Sequence, residues 1–416
     1  MRILVCGANG FIGRAIVDRL AQGGHTVVRG VRQARARDEV RIDFSRDLAA
    51  GDWLPRLARV DAVVNAVGIL VERPGQTFDA VHRAAPCALF AACAMAGVRR
   101  VVQISALGAD RGDTAYFTSK LAAEECLRQG PLEWQILRPA LVYGIDGASA
   151  RFFRLLASLP LVGLPGGGHQ MLQPVHVDDL CEAVLKLLDP ATPPRQCVEL
   201  VGARAVSYRA MLDNYRRGMG FAPVLEISIP ARLVALSAAV GGLLPGAILT
   251  PDTWKMLQAG NCADAAATTT LLGRPPRDIA SFISPGQSGP LRQQALAGWR
   301  GPLLRGALAA VWGVTGLLSL FAYPVAESLA LLARVGIGGA CGLATLYGAA
   351  TLDLVFAAAT VLRPSHRLWL AQVALVLAYS VIIAWALPEF LVHPFGPVLK
   401  NLPILAILLV LIAEES

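Results

Sequence analysis

Tyr116 and Lys120 stand four residues apart in Tyr116-Phe-Thr-Ser-Lys120, and the residues that follow, through Leu127, have the spacing of a helix. Side chains at i and i+4 share a helix face, so the ammonium is positioned to stabilise phenolate and draw the phenol's pKa down. A tyrosine tuned in this way passes a proton to or from a substrate oxygen near neutral pH. Ser105, at the end of an apolar run eleven residues earlier, is expected to hydrogen-bond a substrate carbonyl. Tyr116, Lys120 and Ser105 are therefore the candidate catalytic group.

A second constellation opens the chain. Arg2-Ile-Leu-Val-Cys6 is a short apolar run suited to a buried parallel strand, Gly7-Ala-Asn9-Gly10-Phe11-Ile12-Gly13 follows, and Arg14 to Ala21 has apolar residues at helical spacing. Strand, glycine turn and helix N-terminus make an anion site, because backbone N–H groups approach a pyrophosphate and the helix dipole favours its charge. The expected cofactor contacts are Gly7, Asn9, Gly10, Phe11, Ile12 and Gly13 at this turn, Arg32, Asp43, Ala66, Val67 and Gly68 at later strand ends, and Lys120. A site for NAD usually carries an acid about twenty residues past the turn, on the ribose 2′-hydroxyl. Here the second strand ends in Arg32, with Arg35 and Arg37 beyond it, so NADP is the expected cofactor and NAD the alternative. The competing view treats these arginines as a solvated loop. Arg14 offers a further phosphate contact.

These groups need a scaffold. Val40–Asp43, Asp61–Asn65 and Arg100–Ser105 are further strand patterns, separated by helical stretches such as Thr77 to Gly97. Strand–helix alternation predicts an α/β, Rossmann-type doubly wound parallel sheet, with ligands at the carboxyl ends of its strands. The apolar stretch Ser228 to Leu249, broken by Pro230, Arg232 and Pro245, reads as a pair of lid helices over a pocket rather than as a membrane span.

Composition divides the chain. It has 416 residues, 55% hydrophobic and 16% charged, with a formal charge of +8. That excludes disorder. Of the 68 charged residues, 58 precede Gly301, and the five basic and five acidic residues after it cancel. Apolar stretches at Pro302–Tyr323, Cys341–Leu362, Leu368–Leu387 and, more weakly, Leu399–Ala413 predict an all-α transmembrane four-helix domain. Glu327 to Val335 is expected to lie at the interface. Arg300, Arg305, Arg363 and Arg367, against Arg334 and Lys400, predict a cytoplasmic cofactor domain and both termini inside. The first apolar run is only five residues, so no signal peptide is read there. Asp353 lies within a span and is either functional or paired, and Gly338-x-x-x-Gly342 suits close helix packing. The eight cysteines form no CxxC pair and read as reduced, mostly buried thiols; the six histidines lack ligand spacing, so no metal is implied. Arginines without interleaved aromatics argue against nucleic acid.

With the glycine turn Gly7, Gly10, Gly13, the Tyr116/Lys120 pair, Ile136-Leu-Arg-Pro139-Ala-Leu-Val-Tyr-Gly144 and Pro174-Val-His-Val-Asp-Asp179, residues 1–285 resemble the extended and atypical short-chain dehydrogenase/reductases. Leu249–Leu257 and Leu271–Pro276 are similar to the atypical group containing the complex I accessory subunit that binds NADPH. Two features depart from the active pattern: a short interval from Ser105 to Tyr116, and Ala106 where many members carry a second hydroxyl. Trp312-Gly-Val-Thr-Gly316, Tyr323–Leu329 and Asn401-Leu-Pro403 resemble the DoxX-like membrane family. The implied organisation is a cofactor domain with a small substrate subdomain over residues 1–285, a linker at 286–300 and a DoxX-like transmembrane domain at 301–416. The implied function is a membrane-anchored NAD(P)-dependent oxidoreductase of the inner membrane, acting on a lipophilic carbonyl or alcohol. A non-catalytic NADPH-binding module of a membrane complex and a nucleotide-sugar epimerase or dehydratase are the alternatives. The expected partners are a small lipophilic substrate, membrane lipid and a membrane protein complex.

Overall fold

A computed structural model describes residues 1–243, 247–392, 396 and 398–415; Pro245, named above in the lid, lies outside the described residues. Two compact units divide the chain, Met1–Ala295 and Leu296–Ser416.

The first unit is built on seven parallel strands, β1 (Arg2–Cys6), β2 (Thr26–Val31), β3 (Glu39–Arg41), β4 (Ala62–Asn65), β5 (Arg100–Ile104), β6 (Glu133–Pro139) and β7 (Gln196–Leu200). Their order is β3-β2-β1-β4-β5-β6-β7, so the winding reverses between β1 and β4. Strands β4 and β5 are buried at every position, which is why the adjacent pairs Val63–Val64 and Val101–Val102, facing opposite sides of the sheet, are apolar on both faces. Four helices matter to the site: α1 (Phe11–Gln22), α2 (Ala85–Met95), α3 (Ala115–Gln129) and α4 (Val177–Leu188). One apolar layer packs α2 against the sheet through Leu89, Val63 and Val101. The other packs α1 and α4 through Ile16, Leu20, Val184 and Leu187. A third cluster, around Tyr143, Tyr208, Tyr215 and Phe282, forms the small subdomain.

The lid region differs in detail from its expectation. Ser228 and Ile229 end a short strand, Leu225–Ile229, parallel to Leu161–Pro165. One helix follows at Ala231–Gly241, and the second begins only at Pro251, where Thr250 caps it. Residues 286–300, expected as a linker, lie inside the helix Pro285–Leu317, because Leu291 to Trp299 is rich in Leu, Gln and Ala.

Cysteine pairing is a correction. Cys87 and Cys126, 39 residues apart in sequence, are disulfide-paired across α2 and α3 with Cα atoms 5.8 Å apart. Nothing in their spacing announces this, because packing of the two helices brings them together. Cys6, Cys93 and Cys181 are buried, whereas Cys197 and Cys341 are exposed.

Among the described residues three helices are long and apolar enough to cross a bilayer, at Pro285–Ala322, Gly339–Leu362 and His366–Ala386. The fourth apolar stretch is helical over Asn401–Glu414, and its 14 residues are short of a full span. Polar side chains tie these helices together. Trp312 Nε1 donates to Gln372 Oε1 at 2.9 Å, Gln372 Nε2 donates to Thr360 Oγ1 at 2.9 Å, and Asn401 Nδ2 donates to Ser380 Oγ at 2.8 Å. Asp353 is buried, and its Oδ1 has no hydrogen-bond partner among the described residues. Glu327 to Arg334 falls in a short helix, Val325–Arg334, none of whose residues is buried.

Candidate functional site

The glycine turn has the geometry its sequence implies. Gly7 has φ +81°, in the left-handed region that glycine occupies without strain. A Cβ on Gly13 would sit 2.0 Å from the Gly7 carbonyl oxygen, so only glycine lets α1 start this close to the end of β1. The Gly10 amide closes the turn onto Gly7 O at 2.8 Å. Beside it, at the reversal of strand order, a cleft of about 740 Å³ opens along the carboxyl ends of β1, β2 and β4.

Gly7, Asn9, Gly10, Arg32, Asp43, Ala66, Val67 and Gly68 line this cleft. Phe11, Ile12 and Gly13 do not: they form the first turn of α1 behind its wall. The Phe11 ring fills the space over Gly144 and Gly147, where an added Cβ would meet it at 2.6 Å and 3.2 Å, and Ile12 packs into the apolar layer under α1. Arg14 faces Asp146 at 3.6 Å on the exposed surface. Asn9 Oδ1 accepts a hydrogen bond from Arg29 Nη2 at 2.9 Å.

The cleft's outer end carries an acid that spacing alone hides. Glu39 lines it, but its carboxylate accepts the backbone amides of Arg35 at 2.7 Å and Ala36 at 3.2 Å and faces Arg29 at 3.5 Å. Those amides, the Arg35 one foremost, hold the Glu39 carboxyl below its usual range. Glu39 is thus committed to shaping its own loop. The Arg32 guanidinium is exposed at the rim and makes no ion pair among the described residues. Burial works against ionisation of Asp43, yet the Ser45 hydroxyl at 2.5 Å and amide at 3.0 Å, with Arg46 and Arg32 nearby, keep its pKa below normal.

Behind the cleft wall at Val67 and Gly68, α3 brings Tyr116 and Lys120 to one face, with Thr114 capping the helix; neither side chain lines the cleft itself, so Lys120 is not among the expected cofactor contacts found there. Lys120 is buried, and its Nζ donates to Val67 O at 3.4 Å and Ile104 O at 3.3 Å. Burial lowers its pKa to about 8, with Glu124 pulling the other way. Gly68 admits this ammonium, since a Cβ there would meet Nζ at 3.1 Å. The expected lowering of the Tyr116 pKa is not found. Burial among Phe78, His82 and Phe117 pushes the phenol up to about 12, and Lys120 turns its donors to backbone carbonyls.

His82 is the residue that sequence reasoning missed here. Its Nε2 accepts the Ile69 amide at 3.0 Å and its Nδ1 lies 2.9 Å from Ser119 Oγ, which donates in turn to Tyr116 O. The accepting Nε2 assigns the proton to Nδ1. Burial, reinforced by the Lys120 charge, lowers the imidazole pKa to about 2, so it stays neutral.

Ser105 is occupied elsewhere. Its Oγ donates to Glu124 Oε1 at 2.5 Å, and Arg138 clamps the same carboxylate from Nε at 2.9 Å and Nη2 at 2.7 Å. Arg128 adds a contact at 2.9 Å. The spacing Tyr116, Lys120, Glu124, Arg128 repeats every four residues, and that ladder was the available signal for Glu124. Among the described residues no group of His, Cys, Asp or Glu is arranged to hold a metal ion.

The comparisons agree with this architecture. Residues 3–198 match the NAD dependent epimerase/dehydratase family, and residues 309–409 match the DoxX-like family. The chain is 26% identical over 290 residues to the NADH-ubiquinone oxidoreductase 40 kDa subunit of Neurospora crassa, covering 67% of this chain and 76% of that protein. It is 29% identical over 221 residues to the ceramide reductase of Caulobacter vibrioides, covering 50% of this chain and 66% of that one. The structure of MoeE5 in complex with UDP-glucuronic acid and NAD superimposes with a TM-score of 0.54 at 21% identity, over 71% of this chain and all of that one, a likeness of fold. The protein thus joins an NAD(P)-binding domain of the epimerase and short-chain dehydrogenase type to a DoxX-like membrane domain.

Proposed function

We propose that the protein is a membrane-anchored, NADP(H)-dependent oxidoreductase that interconverts a carbonyl and an alcohol on a lipophilic molecule. The observation that carries this reading is a cleft with a free Arg32 guanidinium at its outer end and, directly behind its wall at Val67, Gly68 and Ile69, the packed Tyr116–Lys120–His82 group. Arg32 suits a 2′-phosphate, and Glu39, held by its own loop, is withdrawn from a ribose hydroxyl. The backbone of Gly7–Gly10 and the start of α1 would take the pyrophosphate.

Hydride is the chemistry a bound nicotinamide supplies. Tyr116 then donates or withdraws the proton at the substrate oxygen, Lys120 sets the local potential with its charge, and neutral His82 fixes the loop at Ile69 and Gly68. Ser105 orients the substrate oxygen only by leaving Glu124. A ceramide reductase among the relatives supports an apolar substrate. The arginine asymmetry of the second unit supports a cofactor domain on the cytoplasmic side of the inner membrane.

A second reading, a nucleotide-holding module within a membrane complex, is favoured by Ser105 being tied to Glu124 and by the likeness to the 40 kDa subunit. One experiment separates the two. The detergent-purified protein is titrated with NADPH by fluorescence, and NADPH oxidation is followed across a panel of carbonyl lipids, with Tyr116→Phe alongside. Turnover that falls about 100- to 10,000-fold in the variant, at unchanged NADPH affinity, supports catalysis. Binding without oxidation, unaltered by the substitution, sinks it in favour of the second reading.

A further inference from the structure

The helix Ala231–Gly241 carries apolar side chains on two opposite faces. Val234 and Ala238 are buried against Trp254, Ile229, Leu249 and Leu257. Leu233, Leu236 and Val240, with Leu243 just beyond the helix end, recur every three or four residues and form a stripe facing away from that contact. Leu236 is 63% exposed and Leu243 83%. The preceding strand adds Leu225, 71% exposed, and Ile227. Single exposed leucines are ordinary, but four exposed apolar side chains in one stripe along a helix mark a docking site.

We infer that this strand and helix dock on the lipid bilayer, with the leucine stripe sunk to the boundary between headgroups and acyl chains. Three observations select lipid as the occupant. Among its described residues the same chain carries three helices long and apolar enough to cross a membrane, so a bilayer is an apolar phase always at hand. Arg232 is exposed at the edge of the stripe, and the whole formal charge of +8 belongs to the first 300 residues, which complements an anionic leaflet. The helix also lies one layer from the candidate site. Trp254 of the next helix, Pro251–Ala259, packs beneath Val234 and Ala238, while Met256 of that helix joins the apolar cluster of Ala106, Phe117 and Tyr116. Apolar contacts through the helix Pro251–Ala259 therefore link the docking helix to the surroundings of Tyr116, which puts a docked bilayer close to the acid/base group; this last step rests on the reductase reading, whereas the docking does not.

The test uses the full-length protein in nanodiscs of phosphatidylcholine and phosphatidylglycerol. Leu236→p-benzoylphenylalanine and, separately, Val240→p-benzoylphenylalanine are irradiated and analysed by mass spectrometry, with the exposed cleft-side residue Asp38 substituted in the same way as the control. Phospholipid adducts at 236 and 240, and their absence at 38, are expected. Cross-links from 236 and 240 to protein alone, or no adduct above the control, overturn the docking. The readout needs no turnover, so an inactive enzyme that still labels lipid would sink the reductase reading and leave the docking standing.

Discussion

Protonation of His82 should loosen the candidate site on a schedule set by its burial. In the folded chain the imidazole pKa is lowered to about 2, against an ordinary value of 6.5. Any opening that exposes His82 to water restores the ordinary value, so the open form binds a proton between pH 6.5 and 2 that the closed form refuses. Stability of the closed form is therefore complete above pH 6.5 and is lost progressively as pH falls below it. Between pH 7 and pH 5 linkage gives a change of roughly 25-fold in the opening equilibrium, or about 2 kcal/mol. The perturbation is His82→Gln, which keeps an acceptor for the Ile69 amide but does not titrate. The assay is hydrogen–deuterium exchange of the peptide containing β4 and Ile69, measured at both pH values in the full-length protein and corrected for intrinsic exchange rates. The wild-type chain should lose about 25-fold in protection and the variant should show only the residual change common to both. If both lose protection equally, His82 is not held neutral in this position, and the packing described for Gly68, Lys120 and Tyr116 is wrong.

Other expectations follow from individual contacts. Arg32→Ala should weaken NADPH binding roughly 10- to 100-fold, the worth of a charge-assisted contact to phosphate, and leave NADH unaffected in a fluorescence titration; equal losses for both cofactors would remove Arg32 from the 2′-position. Gly13→Ala puts a Cβ 2.0 Å from the Gly7 oxygen and should abolish NADPH binding, so a variant with wild-type affinity would mean that the turn is more open than described. Glu124→Gln removes the buried charge that Arg138 and Arg128 share, leaving Arg138 with Asp110 as its ion-pair partner, and should cost about 1–3 kcal/mol, seen as lost exchange protection across α3. An unchanged α3 would show that the ion pair Arg138 already makes with Asp110 at 2.6 Å is sufficient to hold it.

Local patterns carried most of the fold. The apolar run Arg2–Cys6, the glycines at 7, 10 and 13 and the helical spacing after them were each a property of adjacent residues, and the glycine turn at the head of a parallel sheet follows from them. Tyr116 and Lys120 were legible for the same reason. What pairing partners do to these residues was not. Ser105 reads as a substrate ligand until Glu124, nineteen residues on, turns its carboxylate towards it. The Lys120 ammonium was expected on the phenol, but carbonyls from two different strand ends compete for it. Glu39 stands outside the usual spacing for a ribose acid and reaches the cleft only because β3 folds back beside β2. Cys87 and Cys126 meet through helix packing that no spacing rule encodes.

Lys120 has one more consequence. With a pKa near 8, about half the molecules at that pH carry no charge beside the cleft. On the proposed reading a polyanionic nucleotide in the cleft favours the charged half, so loading the cofactor should draw protons from solution. Affinity then tightens as the medium becomes less alkaline, and the heat of binding shifts with the ionisation enthalpy of the buffer. Occupancy of the cleft should therefore follow pH in the alkaline range, and an affinity unchanged between about pH 7 and 9 would put Lys120 out of reach of the nucleotide.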